Sequence, residues 1–273
     1  MNVLDLFSGI GGFSIGLERA GMRTVAFCET EPFCRAVLEK HWPGVPCYED
    51  VRTLTADRLA QDGISVDVIC GGFPCQDISH AGKGAGLAGQ RSGLWYEFHR
   101  LIEEIHPRYA IIENVSALRN RGLDAVLGGL AAIGYDAEWH CIPASAVGAP
   151  HRRDRIWITA YRNTDNKSKP AVSVDVTRQP RMSSDLADAY QQRLEGHDDR
   201  PRATFAPEII TADAWSAGIS RGSRWWASEP AVGRVAHGVP SRTHRLKALG
   251  NAVVPQIPEI IGKAVMSHAL RNA

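Results

Sequence analysis

Apolar and polar positions over the first 161 residues alternate between short apolar runs and longer segments with one apolar face. Val3–Phe7 reads as a strand, and Gly12–Ala20 as a helix that Gly21 closes. Thr24–Cys28 is a second strand, followed by a helix over Phe33–Trp42 with Pro32 in its first turn. Val66–Cys70 predicts a strand and Leu94–Ile105 a helix stopped at Pro107. Tyr109–Ile112 reads as strand, Leu123–Ile133 as helix, and Glu138–Ile142 and Arg155–Ala160 as further strands. Strand-helix alternation of this kind predicts an α/β fold: a doubly wound, mostly parallel, Rossmann-like sheet with helices on both faces.

The pattern then changes. Residues 162–235 are polar with weak periodicity, and 162–250 carry 14 Lys and Arg against 10 Asp and Glu. Trp215, Trp225 and Trp226 argue against full disorder there. Helical character returns at 243–273, where Pro258–Leu270 has apolar residues at 260, 261, 264, 265 and 269. The expected organisation is a catalytic and ligand-binding domain over 1–161, a small variable lobe over 162–244, and a segment over 245–273 that packs back on the first domain.

Composition narrows the class. The chain has 273 residues, 44% hydrophobic and 22% charged, with a formal net charge of +1. It is no polycation, so any nucleic-acid surface must be local. The six cysteines, at 28, 34, 47, 70, 75 and 141, include no C-x-x-C pair. Zinc spacing is absent, and no metal is expected. A chain of this length without an obvious disulfide framework suits a reducing compartment. With no apolar run of spanning length and no signal-peptide pattern, a cytoplasmic protein is expected, with no module ahead of Val3.

Candidate chemistry clusters at predicted strand ends, the edge where open α/β sheets bind ligands. Phe7, Ser8, Gly9, Gly11 and Gly12 form a glycine-rich turn from strand into helix, which admits a ligand to the backbone. A dinucleotide fingerprint needs a further glycine where Ser14 stands, so the pyrophosphate motif fits badly. Glu29 ends the second strand, where an acid can hold both hydroxyls of a ribose, and Asp50 can meet an adenine amino group. A nucleoside without a pyrophosphate fits S-adenosylmethionine better than NAD. Cys75 follows Gly71-Gly72-Phe73-Pro74, just past the strand. A lone cysteine is more often a small buried hydrophobe, but a thiol in a loop at this edge can be a nucleophile.

Together these residues resemble the cytosine-C5 DNA methyltransferases. Asp5–Phe13 is similar to that family's cofactor loop, Gly72-Phe73-Pro74-Cys75-Gln76 to its nucleophile loop, and Glu113-Asn114-Val115 to its acid motif. His151-Arg152-Arg153-Asp154-Arg155 is similar to its arginine motif, which usually opens with Gln, and Gly250–Pro255 to its closing motif. All five appear in the family's order. The resemblance implies a class I methyltransferase fold with a small target-recognition lobe. It implies Cys75, Glu113, Arg153 and Arg155 as catalytic residues. It implies that Phe7, Ser8, Gly9, Gly11, Gly12, Glu29, Asp50, Val51, Pro74, Leu94, Asn251 and Val253 hold S-adenosylmethionine. Asn114 is expected to shape the turn after Glu113. His80–Arg91 reads as a lid over a flipped cytosine, and 163–244 as the part that reads bases, with a basic cleft facing the sheet edge. The implied partner of this monomer is double-stranded DNA, with a cognate restriction endonuclease as a companion. A tRNA cytosine-5 methyltransferase, a non-catalytic DNA-binding regulator on the same fold, and an NAD dehydrogenase are the alternatives.

Overall fold

The computed structural model describes residues 1–74, 93–163 and 240–271, all within one compact unit. Its strands are β1 (Asn2–Leu6), β2 (Arg23–Cys28), β3 (Cys47–Tyr48), β4 (Val68–Gly71), β5 (Tyr109–Val115), β6 (Tyr135–Pro143) and β7 (Asp154–Arg162). They form a seven-stranded sheet in the order β3-β2-β1-β4-β5-β7-β6. The first five strands pair in parallel, and β7 runs antiparallel between β5 and β6. The order reverses between β1 and β4, which places a ligand crevice beyond the carboxyl ends of those two strands.

The helices are α1 (Gly12–Arg19), α2 (Pro32–His41), α3 (Ala56–Gln61), α4 (Leu94–Ile105), α5 (Leu123–Ala132), α6 (Arg242–Asn251) and α7 (Gln256–Arg271). Alternate strand residues feed two cores. Leu4, Ile69, Ala110 and Ile112 join Trp95, Phe98 and Leu101 of α4 and Val126 of α5. Val3, Val68, Cys70 and Ile111 join Phe13 and Leu17 of α1 and Ile257, Ile261 and Val265 of α7. The C-terminal segment therefore packs back on the first domain, as its apolar stripe predicts. The contact is close: a Cβ on Gly16 of α1 would lie 2.3 Å from the Pro255 carbonyl oxygen.

Most predicted elements are present within a residue or two, and three differences matter. β3 pairs only Cys47 and Tyr48 with β2, and α3 is six residues long; neither was expected. β5 runs on to Val115, because β7 continues to pair with it after β4 has ended at Gly71. Glu113 is thus a strand residue opposite Trp157, one position beyond the last pairing with β4, rather than the first residue of a loop.

Candidate active site

At the carboxyl end of β1 the chain turns through Phe7–Gly11 into α1. Ser8 fastens this turn to β2: its Oγ donates to the Asp5 carbonyl at 2.5 Å and accepts from the Cys28 N–H at 3.3 Å. Phe7 holds a left-handed backbone (φ 52°), an unfavourable conformation for a side chain of its size. Glu29, just past β2, faces the turn, and its Oε2 accepts the Gly9 N–H at 2.7 Å. Its Oε1 accepts the Glu31 N–H at 2.8 Å. Gly12 meets the closing segment, where a Cβ would lie 2.7 Å from the Val253 carbonyl oxygen. Asn251 ends α6 immediately before that segment. Phe7, Ser8, Gly9, Gly11, Gly12, Glu29 and Val253 are therefore drawn together from positions up to 246 residues apart in the chain.

Asp50 is already engaged. Its carboxylate accepts from Arg52 Nε at 2.9 and 3.0 Å and from Arg52 Nη2 at 2.6 Å, which holds it below the usual carboxylate range. Val51 is buried beside it. Leu94 opens α4 and packs against the core shared by Trp95 and Phe98.

Beneath the glycine turn lies Asp5, which the sequence reading did not single out as chemistry. Its side chain is fully buried and accepts from Ser14 Oγ at 2.7 Å, while its Oδ1 has no hydrogen-bond partner. Burial pushes its carboxyl up to about 7, against the pull of the Ser14 hydrogen bonds. The Cys70 thiol, its register partner on β4, is pushed well up by the same burial and so is no candidate nucleophile.

The second half of the site lies on β5 and β7. Glu113 Oε1 forms an ion pair with Arg155 Nε at 2.9 Å, with the two side chains only 13% and 22% exposed. Burial raises the Glu113 carboxyl above its ordinary range, and Arg155 and then Arg153 pull it back. The outcome is a carboxyl with raised proton affinity, oriented by a guanidinium. Arg153 also has a left-handed backbone (φ 38°), and its Nη2 donates to the Ala252 carbonyl at 2.8 Å. One of its amino groups ties the arginine segment to the closing segment.

Two residues register the β4 loop on the acid. Gly72 lies so close that a Cβ there would be 2.7 Å from Glu113 Oε2. Asn114, expected to shape a turn, instead sits in β5 with its side chain buried at 2% exposure. Its Nδ2 donates to the Phe73 carbonyl at 3.2 Å, and its Oδ1 accepts the Val115 N–H at 2.9 Å. The correction has a simple cause: β7 extends β5, so Asn114 turns inward towards the loop. Pro74 follows, partly buried.

Cys75, the 80–91 segment, and 164–239 with Trp215, Trp225 and Trp226 lie outside the described residues. Among the described residues no cluster of three His, Cys, Asp or Glu is placed to hold a metal ion. Nor is any helix there long and apolar enough to cross a membrane. Their five cysteines are free.

Comparison with known proteins bears on this geometry. The family model described as C-5 cytosine-specific DNA methylase matches residues 1–213. The Type II methyltransferase M2.BsuMI of Bacillus subtilis is 36% identical over 175 residues, covering 61% of this chain and 43% of its own. The Type II methyltransferase M.DsaV of Dactylococcopsis salina is 27% identical over 218 residues, covering 74% and 60%. This chain thus spans about half the length of these curated relatives. Among solved structures, a candidate DNA modification methyltransferase encoded within an E. coli prophage superposes with a TM-score of 0.61 at 19% identity, covering 99% of each chain. DNMT2 of Spodoptera frugiperda gives 0.52 at 18%, covering 99% of this chain and 98% of that one. At such identities the likeness shows a shared fold.

Proposed function

Because the chain belongs to the C-5 cytosine-specific DNA methylases, we propose that it methylates C5 of cytosine in double-stranded DNA, with S-adenosylmethionine as the donor. The observation that carries the reading is the half-buried Glu113–Arg155 pair beneath the loop that leads into Cys75. Cytosine C5 is too weak a nucleophile unaided. Addition of the Cys75 thiolate at C6 forms the S–C6 bond and drives electrons towards N3. Glu113 delivers its proton to N3, which leaves C5 as the nucleophilic carbon of an enamine. Arg155 fixes the carboxyl and stabilises the carboxylate left after transfer. Duplex stacking hides C5 and C6, so the target nucleotide has to leave the helix first, at a cost of a few kcal/mol.

The residues present fit the cofactor. An orphaned buried oxygen on Asp5 and a carboxylate at the end of β2 suit a cationic nucleoside. Phe7, Ser8, Gly9, Gly11, Gly12, Glu29, Asp50, Val51, Pro74, Leu94, Asn251 and Val253 would hold it. When bound, S-adenosylmethionine supplies the electrophilic methyl group.

The polar segment 162–244 is assigned to base recognition, and the Type II names of the relatives suggest a companion restriction endonuclease for this monomer. Duplex DNA is favoured over tRNA by the family description and by those relatives' names. Methyl transfer to duplex DNA and to tRNA, followed by bisulfite sequencing, tests the reading. Modified cytosines at one recurring duplex site are expected. Transfer to tRNA alone would move the protein to the alternative substrate, and transfer to neither would sink the proposal.

A further inference from the structure

Helix α6 buries only Ala248 among its ten residues, although it leads directly into Asn251 and Val253. Apolar packing therefore does little to fix it, and among the described residues it is held by contacts of its first two turns and of the segment that follows it. The C-terminal end is held by the approach of Val253 to Gly12 and by the hydrogen bond from Arg153 to the Ala252 carbonyl. The other end meets the loop that carries Glu29. Lys247 Nζ lies 2.5 Å from Glu31 Oε2, and His244 Nδ1 lies 3.8 Å from Glu31 Oε1. The His244 ring stacks on Phe33 at 5.8 Å with an interplanar angle of 24°. Glu31 in turn donates its backbone N–H to Glu29 Oε1. The Lys247 ammonium interacts first with Glu31 and also with Glu29.

We propose that Lys247 is a positioning residue that clamps α6 onto the Glu31 turn, and so holds together the two walls of the cofactor site, the Glu29 wall and the Asn251–Val253 wall. This rests on the cofactor reading given above. Both side chains of the pair are solvent-accessible, at 61% for Lys247 and 27% for Glu31, so salt screens the clamp. Cofactor affinity should then carry a salt-sensitive contribution that belongs to this pair.

The test is calorimetric titration of S-adenosylmethionine into wild type, Lys247→Met, Glu31→Gln, the double variant and the charge swap Glu31→Lys/Lys247→Glu. Each is measured at low salt and near 1 M salt. For an exposed pair, Lys247→Met should weaken binding about two- to fivefold at low salt. The deficit should vanish at high salt, the double variant should be no worse than either single one, and the swap should recover part of the loss. Melting temperatures without cofactor should agree within the series, which a merely structural role would not give. Unchanged affinity of Lys247→Met at low salt would overturn the proposal, as would a deficit that persists at high salt or losses that simply multiply in the double variant. Wild type that gives no binding heat at all would instead strike the cofactor reading, and the clamp with it.

Discussion

The two halves of the site are built from different materials. At the β1–β2 end the chain offers a glycine-rich turn whose backbone is tied within the protein, with one carboxylate, Glu29, bracing it through Gly9. At the β5–β7 end it offers charged side chains in ion-paired contact, Glu113 with Arg155, and Arg153 close by. The first half depends on what is left out, since a single methyl group on Gly12 would run into the Val253 carbonyl. The second depends on what is put in. Substitutions should therefore break one half by adding atoms and the other by removing them.

The largest expected effect lies at the proposed nucleophile, where Cys75→Ser should abolish methyl transfer and covalent capture on 5-fluorocytosine DNA while cofactor binding survives. Capture at wild-type yield would reassign the nucleophile. Next is Glu113→Gln, which keeps the shape but not the proton. A loss of about 10²–10⁴-fold in turnover is expected from the usual contribution of a positioned acid. Turnover near wild type would mean that another group serves N3.

Glu29→Ala is the removal that should hurt the glycine half. Hydrogen bonds to charged groups contribute about 1.5–3 kcal/mol each, so cofactor affinity should fall roughly ten- to a hundredfold. Unchanged affinity would put the ribose elsewhere. Gly12→Ala is the matching addition. Overpacking against a backbone carbonyl should cost about 1–3 kcal/mol, seen as a lower denaturation midpoint together with weaker cofactor binding. A variant as stable as wild type would show that the closing segment yields easily.

The last effect concerns pH. The folded-state pKa of Asp5 is about 7, against an ordinary value of 3.8. A raised carboxyl favours the folded state fully below the lower value, and that contribution is lost as pH rises through the upper one. Wild-type stability should carry a decline between about pH 4 and 7 that Asp5→Asn lacks. Superimposable profiles would show that Asp5 is not the group responsible.

These contrasts also mark what the sequence could reveal. The glycine turn, Glu29 and Glu113 were legible because local patterns carry them: a strand, a turn residue and an acid at a strand end. The sheet class followed from the same alternation. Asp5 is legible as the start of the cofactor loop, but its burial is not, because only the neighbouring strands reveal it. Asn114 was misjudged because β5 outlasts β4 through pairing with a strand that lies 40 residues further along. The bond from Arg153 to Ala252 joins residues 99 apart, and no local pattern announces it. β3 is two residues long, too short to show any period, and exists only because β2 offers it a partner.

The close seat of α7 on α1 bears on how the chain is made. Val3, Phe13 and Leu17 are synthesised almost at once, yet Ile257, Ile261 and Val265, which cover the same face, come some 240 residues later. At roughly 5–20 residues per second, that face of the nascent sheet stays uncovered for on the order of ten seconds or more. The opposite face, closed by α4 and α5, is complete much sooner. Translation thus finishes one side of the molecule while the other still waits for its last helix. A chain stopped anywhere between 164 and 255 would present that bare apolar face to chaperones and proteases.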